Sequence, residues 1–553
     1  MTPVDRIRKA YERIRQRGAA PVWISLLPEE VVVQRAEAMD PSLPLAGLTF
    51  AVKDNIDLAG LPTTAACPVF AYTPQHSATV VRLLEAAGAI AIGKTNLDQF
   101  ATGLVGVRSP YGVCTSVFSE GYISGGSSSG SAVSVALEDV DFALGTDTAG
   151  SGRVPAAFNN LIGLKPTRGT FSMTGVVPAC RTLDCVSVFA RDLTTAERVF
   201  RIAAQPDAAD WSTRTFHDPG DTWSGGRFRF GVPRPNQLEF FGDDESRHLF
   251  EAAIARCERA GGQRVEVDYE PFRAAAELLY SGPWVAERLA ALEDFVHDHA
   301  GDMHPVTRKI ITSASTLTAV QAYQATYKLG ELKSKTAAVW TGIDFLLLPT
   351  TGTIYKVEEV EADPIRLNTN LGFYTNFVNL LDLSALAIPA GFRPNGTPFG
   401  VTLIAPAMAD LALARVAARL LPPQRVNVAV VGAHLTGQPL NGQLTSRDAT
   451  LVKTCRTSPD YRFYALANST PAKPGLVRED GFAGPGIEVE VWSVPVSEFG
   501  CFVALIPPPL GIGTLRLDDG THVKGFICEP SGITGAREIT SFGGWRAYLQ
   551  SRA

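Results

Sequence analysis

The stretch from Ser124 to Arg153 holds the residues best suited to chemistry. It opens on a glycine-hinged run of serines, GGSSSGS, and closes on a second glycine-flanked serine, Ser151, in TDTAGSGR. An apolar run from Ala132 to Leu144, broken by one acidic turn, separates the two. We predict loop, helix, short strand and second loop, with both loops meeting at one end, where backbone N–H groups are free. A flexible Ser/Gly linker would not alternate with patterned apolar segments, so this stretch predicts a site.

A nucleophilic hydroxyl needs a base, a route for its proton and donors for the developing oxyanion. Ser151 lies among small residues, and Ser127 follows two glycines that permit unusual backbone geometry. Four backbone N–H groups around the nucleophile are candidate oxyanion donors: those of Thr148, Ala149, Gly150 and Ser151.

Lys53 is the candidate base. It follows the apolar run Leu48 to Val52, which predicts a buried strand that ends in a polar turn. Lysines in such positions are more often surface residues whose aliphatic chain packs on apolar neighbours while the amine stays in water. Lys53 could act as a base only if it were neutral, which burial beside hydroxyls rather than carboxylates favours.

Two other patterns are weaker candidates. Gly88 to Thr95 matches the phosphate-loop pattern G-x4-G-K-T, but its interior AIAI predicts a strand whose amides are not free for phosphate. His297, His299 and His304 could ligate a metal, yet they lie in a polar segment that favours solvation. We expect no metal and no organic cofactor.

The length and composition predict a globular enzyme of at least two domains. The chain has 553 residues, 45% of them hydrophobic, and a net charge of −6 without a basic stripe, so neither nucleic acid nor a membrane is an expected partner. The first helix is charged and lacks the apolar centre of a secretory signal, and the eight cysteines are scattered. These features predict a cytoplasmic protein with reduced thiols.

Strands alternate with helices up to about residue 421, which favours an α/β layer structure with a buried sheet. A last helix, Asp410 to Leu421, runs into Pro422-Pro423, which must end it. Beyond it, four apolar runs joined by Gly/Pro turns predict strands. They are VAVVGAHL, IEVEVWSV, CFVALI and VKGFICE. We therefore predict domains over 1–421 and 422–553.

Several motifs resemble the amidase signature family, from about residue 20 to 420: GGSSSGSA, GTDTAGSGRVPAAF, AVKDNID and GLKPT. The resemblance implies a large mixed, mostly parallel sheet with helices on both faces. It also implies a Ser–cis-Ser–Lys triad, with Ser151 as nucleophile, Ser127 as bridging hydroxyl after a cis peptide, and Lys53 as base. The family's 24-residue spacing between the two serines selects Ser127 from its serine neighbours. Ala149 departs from the commoner glycine but still offers its N–H.

Further stretches resemble the allophanate hydrolase subfamily, among them TNLDQFATGLVGVRSPYG and, in the second domain, DGTHVKGFICEP. This resemblance implies that Tyr280 and Arg288 hold the substrate carboxylate, for which a planar cation is suited. The alternative is that both residues are structural, with Tyr280 as an aromatic core contact and Arg288 as a solvated arginine on a helix. It also implies a second, α+β domain similar to γ-glutamyl cyclotransferase folds that promotes decarboxylation, with His434 as candidate. That histidine could equally be structural.

The expected reaction is thus hydrolysis of allophanate to N-carboxycarbamate and ammonia. The expected partner is this small molecule; we also expect a homodimer and association with other urea- or cyanurate-degrading enzymes. The alternatives are a general amidase of the malonamidase type, the amidase subunit of a tRNA-dependent amidotransferase, and an inactive amidase-fold scaffold. The additional domain argues against the first two, and three occupied triad positions argue against the last.

Overall fold

The computed structural model describes residues 2–18, 20–220, 227–422, 425–467 and 469–552. Contacts divide the chain into two units, Met1–Leu421 and Pro422–Ala553. No helix in the described ranges is both long and apolar enough to cross a membrane.

The described residues of the first unit contain one 11-stranded sheet, in the order β1-β3-β2-β4-β6-β5-β10-β11-β9-β7-β8. Its strands are β1 (Trp23–Leu26), β2 (Thr49–Lys53), β3 (Ile90–Thr95), β4 (Phe142–Asp147), β5 (Ile162–Lys165), β6 (Cys185–Ala190), β7 (Phe228–Pro233), β8 (Gly262–Val267), β9 (Phe345–Pro349), β10 (Leu383–Phe392) and β11 (Pro398–Pro406).

Helices surround this sheet. They are α1 (Pro3–Arg17), α2 (Glu29–Glu37), α3 (Thr79–Ala86), α4 (Ser129–Ala136), α5 (Val154–Phe158), α6 (Leu193–Ala203), α7 (Asp244–Arg259), α8 (Glu270–Ser281), α9 (Trp284–His299), α10 (Pro305–Thr312), α11 (Ala319–Ala337), α12 (Val357–Ala362), α13 (Arg366–Leu371), α14 (Phe377–Leu380) and α15 (Asp410–Leu420).

The two faces of the sheet belong to different hydrophobic cores. Phe50 and Val52 of β2 pack in one core with side chains of α3, α6, α7 and α15. Ala51, between them, packs in another with side chains of α1, α2 and α4. Because successive side chains of a strand point to opposite faces, helices cover the sheet on both sides. The predicted mixed α/β sheet with helices on both faces is confirmed.

The prediction that the sheet is mostly parallel is wrong. Of the ten strand pairs among the described residues, six are antiparallel and four parallel. The antiparallel pairs dominate the centre, where β10 and β11 form a hairpin closed by a hydrogen bond from Arg393 N–H to Thr397 O. A strand that is buried on both faces is a continuous apolar run whether its neighbours are parallel or antiparallel. The apolar runs therefore did not reveal the strand directions.

The stretch from Ser124 to Arg153 folds as predicted. A loop leads into α4, β4 follows, and a second loop carries Ser151. β2 and β4 pair in parallel, with Val52 opposite Leu144. This pairing brings the ends of both strands, and therefore Lys53 and the second loop, to the same edge of the sheet.

The second unit has its own core and two sheets among its described residues, β13-β16-β12-β18-β17 and β15-β14-β19. Its strands are β12 (Arg425–Val430), β13 (Thr450–Arg456), β14 (Tyr461–Ala465), β15 (Pro474–Arg478), β16 (Glu488–Pro495), β17 (Leu510–Arg516), β18 (His522–Cys528) and β19 (Arg537–Glu538). Its helices are α16 (Gly442–Thr445), α17 (Val496–Val503) and α18 (Trp545–Gln550).

One strand predicted in this unit is wrong. The run CFVALI begins inside helix α17 and leaves it by a turn. A short apolar run has no periodicity that separates a strand from a buried helix. Within the helical part of this run, Phe502 is the buried residue. This pattern is typical of a helix, which buries one face and exposes the others.

Candidate active site

Lys53 ends β2 with its side chain fully buried. Its Nζ donates to Ser127 Oγ at 2.8 Å and to Thr146 Oγ1 at 2.7 Å, and it forms no ion pair with any described residue. Burial lowers the pKa of Lys53 to about 7, against the opposing charges of Asp98 and Asp184. Near neutral pH a large fraction of this amine is therefore uncharged, which is the form that can accept a proton.

The loop before α4 holds Ser127 in place. The Gly126–Ser127 peptide bond is cis, as the resemblance implied. The Gly126 N–H donates to the Leu104 carbonyl at 2.9 Å, and the Ser127 carbonyl accepts from Asp98 N–H at 3.0 Å. A Cβ on Gly126 would lie 2.1 Å from Asp98 Oδ2, so only glycine fits. That carboxylate is itself fixed by the backbone N–H groups of Val105, Gly106 and Arg108.

Asp147, the last residue of β4, organises the loop that carries Ser151. Its carboxylate accepts two hydrogen bonds of 2.9 Å from the guanidinium of Arg153, and both side chains are fully buried. It also accepts from the N–H groups of Gly150 and Gly152, at 2.9 and 3.0 Å. Burial alone would raise the pKa of Asp147, but Arg153 and these donors hold it below its usual value.

Ser151 is buried, and its Oγ donates to the Gly103 carbonyl at 3.4 Å. Gly126, the residue before Ser127, donates to the next carbonyl, that of Leu104, so the loops of the two candidate serines contact adjacent peptide groups. The structure thus joins Lys53 to Ser127 directly. Among the described residues no hydrogen bond joins Ser127 to Ser151 in this conformation.

The expected oxyanion donors are only partly free. The Gly150 N–H donates to the Asp147 carboxylate, and this hydrogen bond holds the turn around that carboxylate. The prediction that the Gly150 N–H donates to the substrate is therefore wrong. The N–H groups of Thr148, Ala149 and Ser151 have no acceptor within the described part of the chain. These three N–H groups are therefore the ones in this loop that could donate to the oxygen of a reacting carbonyl.

Arg288 lies in α9 and is 2% exposed. Its Nη1 donates to Thr102 Oγ1 at 3.1 Å, and its Cζ lies 6.0 Å from the ring centroid of Tyr280, at the end of α8. No carboxylate within the described ranges forms an ion pair with it. Because Thr102 precedes Gly103, which holds Ser151, this unpaired cation lies beside the nucleophile loop.

Sequence reasoning missed Thr146, Thr102 and Asp98. Thr146 is in the quoted motif GTDTAGSGR, but its contact with Lys53 depends on how β2 and β4 pair. Thr102 and Asp98 lie in a segment where Phe100 and Ala101 have positive φ of 50° and 52°. Neither residue type predicts that conformation, so nothing in the sequence pointed to this turn.

The two weaker motifs have ordinary structural roles. Residues Ile90–Thr95 form strand β3, as predicted, and the buried Lys94 pairs with Asp54 at 3.1 Å. His297 and His299 pair with neighbouring aspartates at the surface. Within the described ranges no cluster of three or more His, Cys, Asp or Glu side chains could hold a metal ion.

His434 lies just after β12 in the second unit and is 9% exposed. Its Nε2 is 2.9 Å from Gln443 Oε1. The ring stacks on Phe526, with centroids 5.0 Å apart, and meets the edge of Phe502 at 5.4 Å. Burial lowers the pKa of this imidazole, so it is neutral at pH 7.

The family model described as Amidase matches residues 7–413. The chain belongs to the amidase family. A second model, the allophanate hydrolase C-terminal domain, matches residues 426–550. The resemblance read from the motifs is therefore confirmed for this amidase, including its second domain.

Two relatives span both domains. The chain is 45% identical to a urea amidolyase of Lachancea kluyveri over 572 residues, which cover 96% of this chain and 31% of that protein. It is 42% identical to the structure of Kluyveromyces lactis allophanate hydrolase, with a TM-score of 0.73, and covers 97% of it. A glutamyl-tRNA(Gln) amidotransferase subunit of Symbiobacterium thermophilum is 33% identical over 75% of this chain and 92% of its own. The chain spans about a third of the length of the urea amidolyases that it matches.

If neutral Lys53 is the base, kcat/KM for amide hydrolysis will rise about tenfold per pH unit below its pKa and level off above it. That pKa is about 7. Lys53→Arg, which stays protonated, will remove the rise and lower kcat by roughly 10²- to 10⁴-fold. The measurement is a pH–rate profile.

Asp184 is the control, because burial raises the pKa of its carboxyl to about 6 and it binds Thr148. Asp184→Asn will keep the pH-dependent limb. A limb that disappears in Asp184→Asn but persists in Lys53→Arg contradicts the assignment.

Arg153→Met will leave Asp147 buried without its cation and lower the free energy of unfolding by about 3–5 kcal/mol. The control Arg15→Met removes a surface pair with Glu29 in which the arginine is 63% exposed, and because solvent screens this pair the loss will be much smaller. Urea titration of the full chain measures both. Equal losses in the two variants would refute the role given to the buried pair.

Proposed function

We propose that this protein hydrolyses allophanate, a urea that bears a carboxylate, to N-carboxycarbamate and ammonia. The observation that carries the proposal is Arg288, a buried guanidinium without a carboxylate partner among the described residues, beside the nucleophile loop. A buried cation is costly unless an anion reaches it, and a guanidinium binds a carboxylate in a planar, bidentate manner. Similarity to an allophanate hydrolase over nearly the full length of both chains also supports the proposal.

In the proposed mechanism, the substrate carboxylate binds Arg288, with the Tyr280 hydroxyl as a second contact. The terminal amide then lies over Ser151, whose Oγ turns from Gly103 toward Ser127. Neutral Lys53 takes the proton of Ser127 while Ser127 takes that of Ser151. The contact between Lys53 and Ser127 at 2.8 Å supports the first of these transfers.

The attacked carbonyl oxygen becomes negative and is stabilised by the N–H groups of Thr148, Ala149 and Ser151. The proton held by Lys53 returns through Ser127 to the leaving nitrogen, and ammonia departs. Water then attacks the acyl-enzyme by the same relay and releases N-carboxycarbamate. No metal or organic cofactor takes part in these steps.

In the second unit, loss of carbon dioxide from this product would follow, with His434 moving the proton. The overall products are ammonia and carbon dioxide. The cytoplasmic location, the homodimer, the association with other urea- or cyanurate-degrading enzymes and the γ-glutamyl cyclotransferase-like fold of the second domain stay predictions. So does the source of the allophanate, urea carboxylation or cyanuric acid breakdown.

Ser151→Ala will lower ammonia release from allophanate by roughly 10⁶-fold, because the nucleophile is lost. Ser134→Ala is the matched control: Ser134 is buried in α4, and its hydroxyl donates to the Ser131 carbonyl. This control will keep its activity. Ammonia assay and circular dichroism measure both variants, and turnover by a folded Ser151→Ala would disprove the assignment.

Arg288→Ala will lower kcat/KM for allophanate by roughly 10- to 100-fold, because a charged hydrogen-bonded contact is lost. Hydrolysis of malonamide, which has no carboxylate, will change little. Steady-state kinetics with the two substrates measure the difference. An equal loss on both would mean that Arg288 supports the fold rather than the carboxylate.

The unmodified protein will release ammonia from allophanate faster than from malonamide or glutamine. A preference for glutamine would instead favour the amidotransferase subunit, to which the first domain is also similar. A preference for malonamide would favour a general amidase. Failure of a fluorophosphonate probe to label Ser151 in the folded protein would favour an inactive scaffold.

A further inference from the structure

Residues 179–184, just before β6, contact the loop that carries Ser151. Within this segment, the Asp184 carboxylate accepts from the Thr148 hydroxyl at 2.5 Å. It also accepts from the N–H groups of Ala179 and Cys180, at 2.8 and 3.0 Å. The N–H of Thr148 is itself one of the candidate oxyanion donors. The segment therefore fixes the side chain of a residue whose backbone belongs to the oxyanion site.

The same segment contacts helix α9, which carries Arg288. Glu287, the neighbour of Arg288, accepts from the N–H and the hydroxyl of Thr182 at 2.7 and 2.8 Å. The Cys180 thiol donates to the Trp284 carbonyl at 3.3 Å. Residues 179–184 therefore contact both the oxyanion loop and the helix of the buried guanidinium.

Ala149 joins these parts by packing. It stands where glycine is commoner in the family, and it is 3% exposed. It belongs to one hydrophobic cluster with Cys180 and Leu183, and Trp284 of α9 packs against that cluster. A glycine would contribute no side chain there. The methyl group of Ala149 therefore places a second candidate oxyanion donor in the cluster that packs against α9.

Residues 284–291, the first part of α9, lie between two interruptions of the helical backbone. The backbone is extended at Gly282, where α8 ends, and non-helical at Leu292, with φ −130° and ψ 15°. A Cβ on Gly282 would lie 2.4 Å from the Leu278 carbonyl oxygen, so only glycine fits this break. A segment with non-helical residues at both ends can move as a unit, because those residues absorb the dihedral changes.

We infer that residues 179–184, with Ala149, are a positioning element that couples the occupancy of Arg288 to the oxyanion donors. The coupling rests on the proposed function, in which the substrate carboxylate binds Arg288. A carboxylate that binds the guanidinium shifts residues 284–291, and the contacts of Glu287 with the segment transmit this shift to the oxyanion loop. The energy of carboxylate binding is thereby used to align the donors.

The coupling makes the substrate carboxylate a determinant of kcat. An amide without a carboxylate leaves Arg288 unoccupied and meets donors that are not aligned, so it reacts slowly even when it is bound. Enzymes use binding energy from a remote part of the substrate in this way to select the correct substrate. A separate carboxylate that binds Arg288 will therefore activate the protein toward a neutral amide.

The test divides the substrate into two molecules and uses the full chain. Acetamide supplies the amide, sodium formate supplies the carboxylate, and sodium chloride at equal ionic strength is the control. Formate will raise the initial rate of ammonia release from acetamide roughly tenfold, whereas chloride will not. Arg288→Ala will abolish this activation. The readout is the ratio of the rates with and without formate, which does not depend on the fraction of folded protein.

Variants of the contact between α9 and the segment test the coupling itself. Glu287→Ala removes both acceptors of Thr182 and will abolish the activation. Thr182→Val, which loses the hydroxyl but keeps the N–H, will reduce it, and Thr182→Ser will keep it. The matched control is Glu293→Ala, which removes an exposed glutamate of the same helix beyond Leu292 and will keep the activation. A full ratio in Glu287→Ala, or a loss in Glu293→Ala as well, overturns the coupling.

Ala149→Gly tests the packing contact. The variant keeps the N–H and introduces the residue that is commoner in the family. The rate ratio will fall, because the oxyanion loop loses its side chain in the cluster that packs against α9. An unchanged ratio overturns the role of the methyl group.

The outcomes for the coupling differ from those for the proposed function. If the unmodified protein hydrolyses allophanate but formate does not activate it toward acetamide, the coupling is overturned and the function stands. If formate activates through Arg288 but allophanate is not hydrolysed, the proposed function fails and the coupling stands.

Discussion

The candidate site depends on one buried amine that donates to hydroxyls and, within the described part of the chain, pairs with no carboxylate. Lys53 is fully buried, and its contacts are the side-chain oxygens of Ser127 and Thr146. Burial penalises the ammonium form, and a hydroxyl does not compensate as a carboxylate would. The pKa of Lys53 therefore falls to about 7, which suits a base that works near neutral pH.

The charges of three buried aspartates act on this amine, and each of these carboxylates accepts at least three hydrogen bonds from other groups. Asp98 accepts from three backbone N–H groups, and Asp147 accepts from Arg153 and two N–H groups. Asp184 accepts from Thr148 and from two more. The same bonds shape the loops that carry Ser127, Ser151 and Thr148. The hydrogen bonds that fix these loops also occupy the three carboxylates. Because these carboxylates already accept several hydrogen bonds, they have little capacity left to accept one from the ammonium of Lys53.

Part of the site could be predicted from the sequence, whereas the strand directions and one helix could not. Lys53 at a strand end and Ser151 in its loop followed from local pattern, since apolar runs and glycines report burial and turns. The sheet direction did not follow, because strands covered on both faces give the same apolar run either way. The run CFVALI, which begins inside the helix Val496–Val503, is predicted as a strand for a related reason: the apolar run is too short for its period to be seen.

By itself the sequence determined the residue types of the site, the order of its loops and the family. Those properties are local, and a motif of serines and glycines carries them without reference to the rest of the chain. Only the tertiary structure decided that Thr146 meets Lys53, that Gly150 is taken by Asp147, and that Arg288 is buried without a carboxylate partner among the described residues. Each of these depends on which strands and helices lie side by side, and contacts between distant segments are set by packing rather than by local pattern.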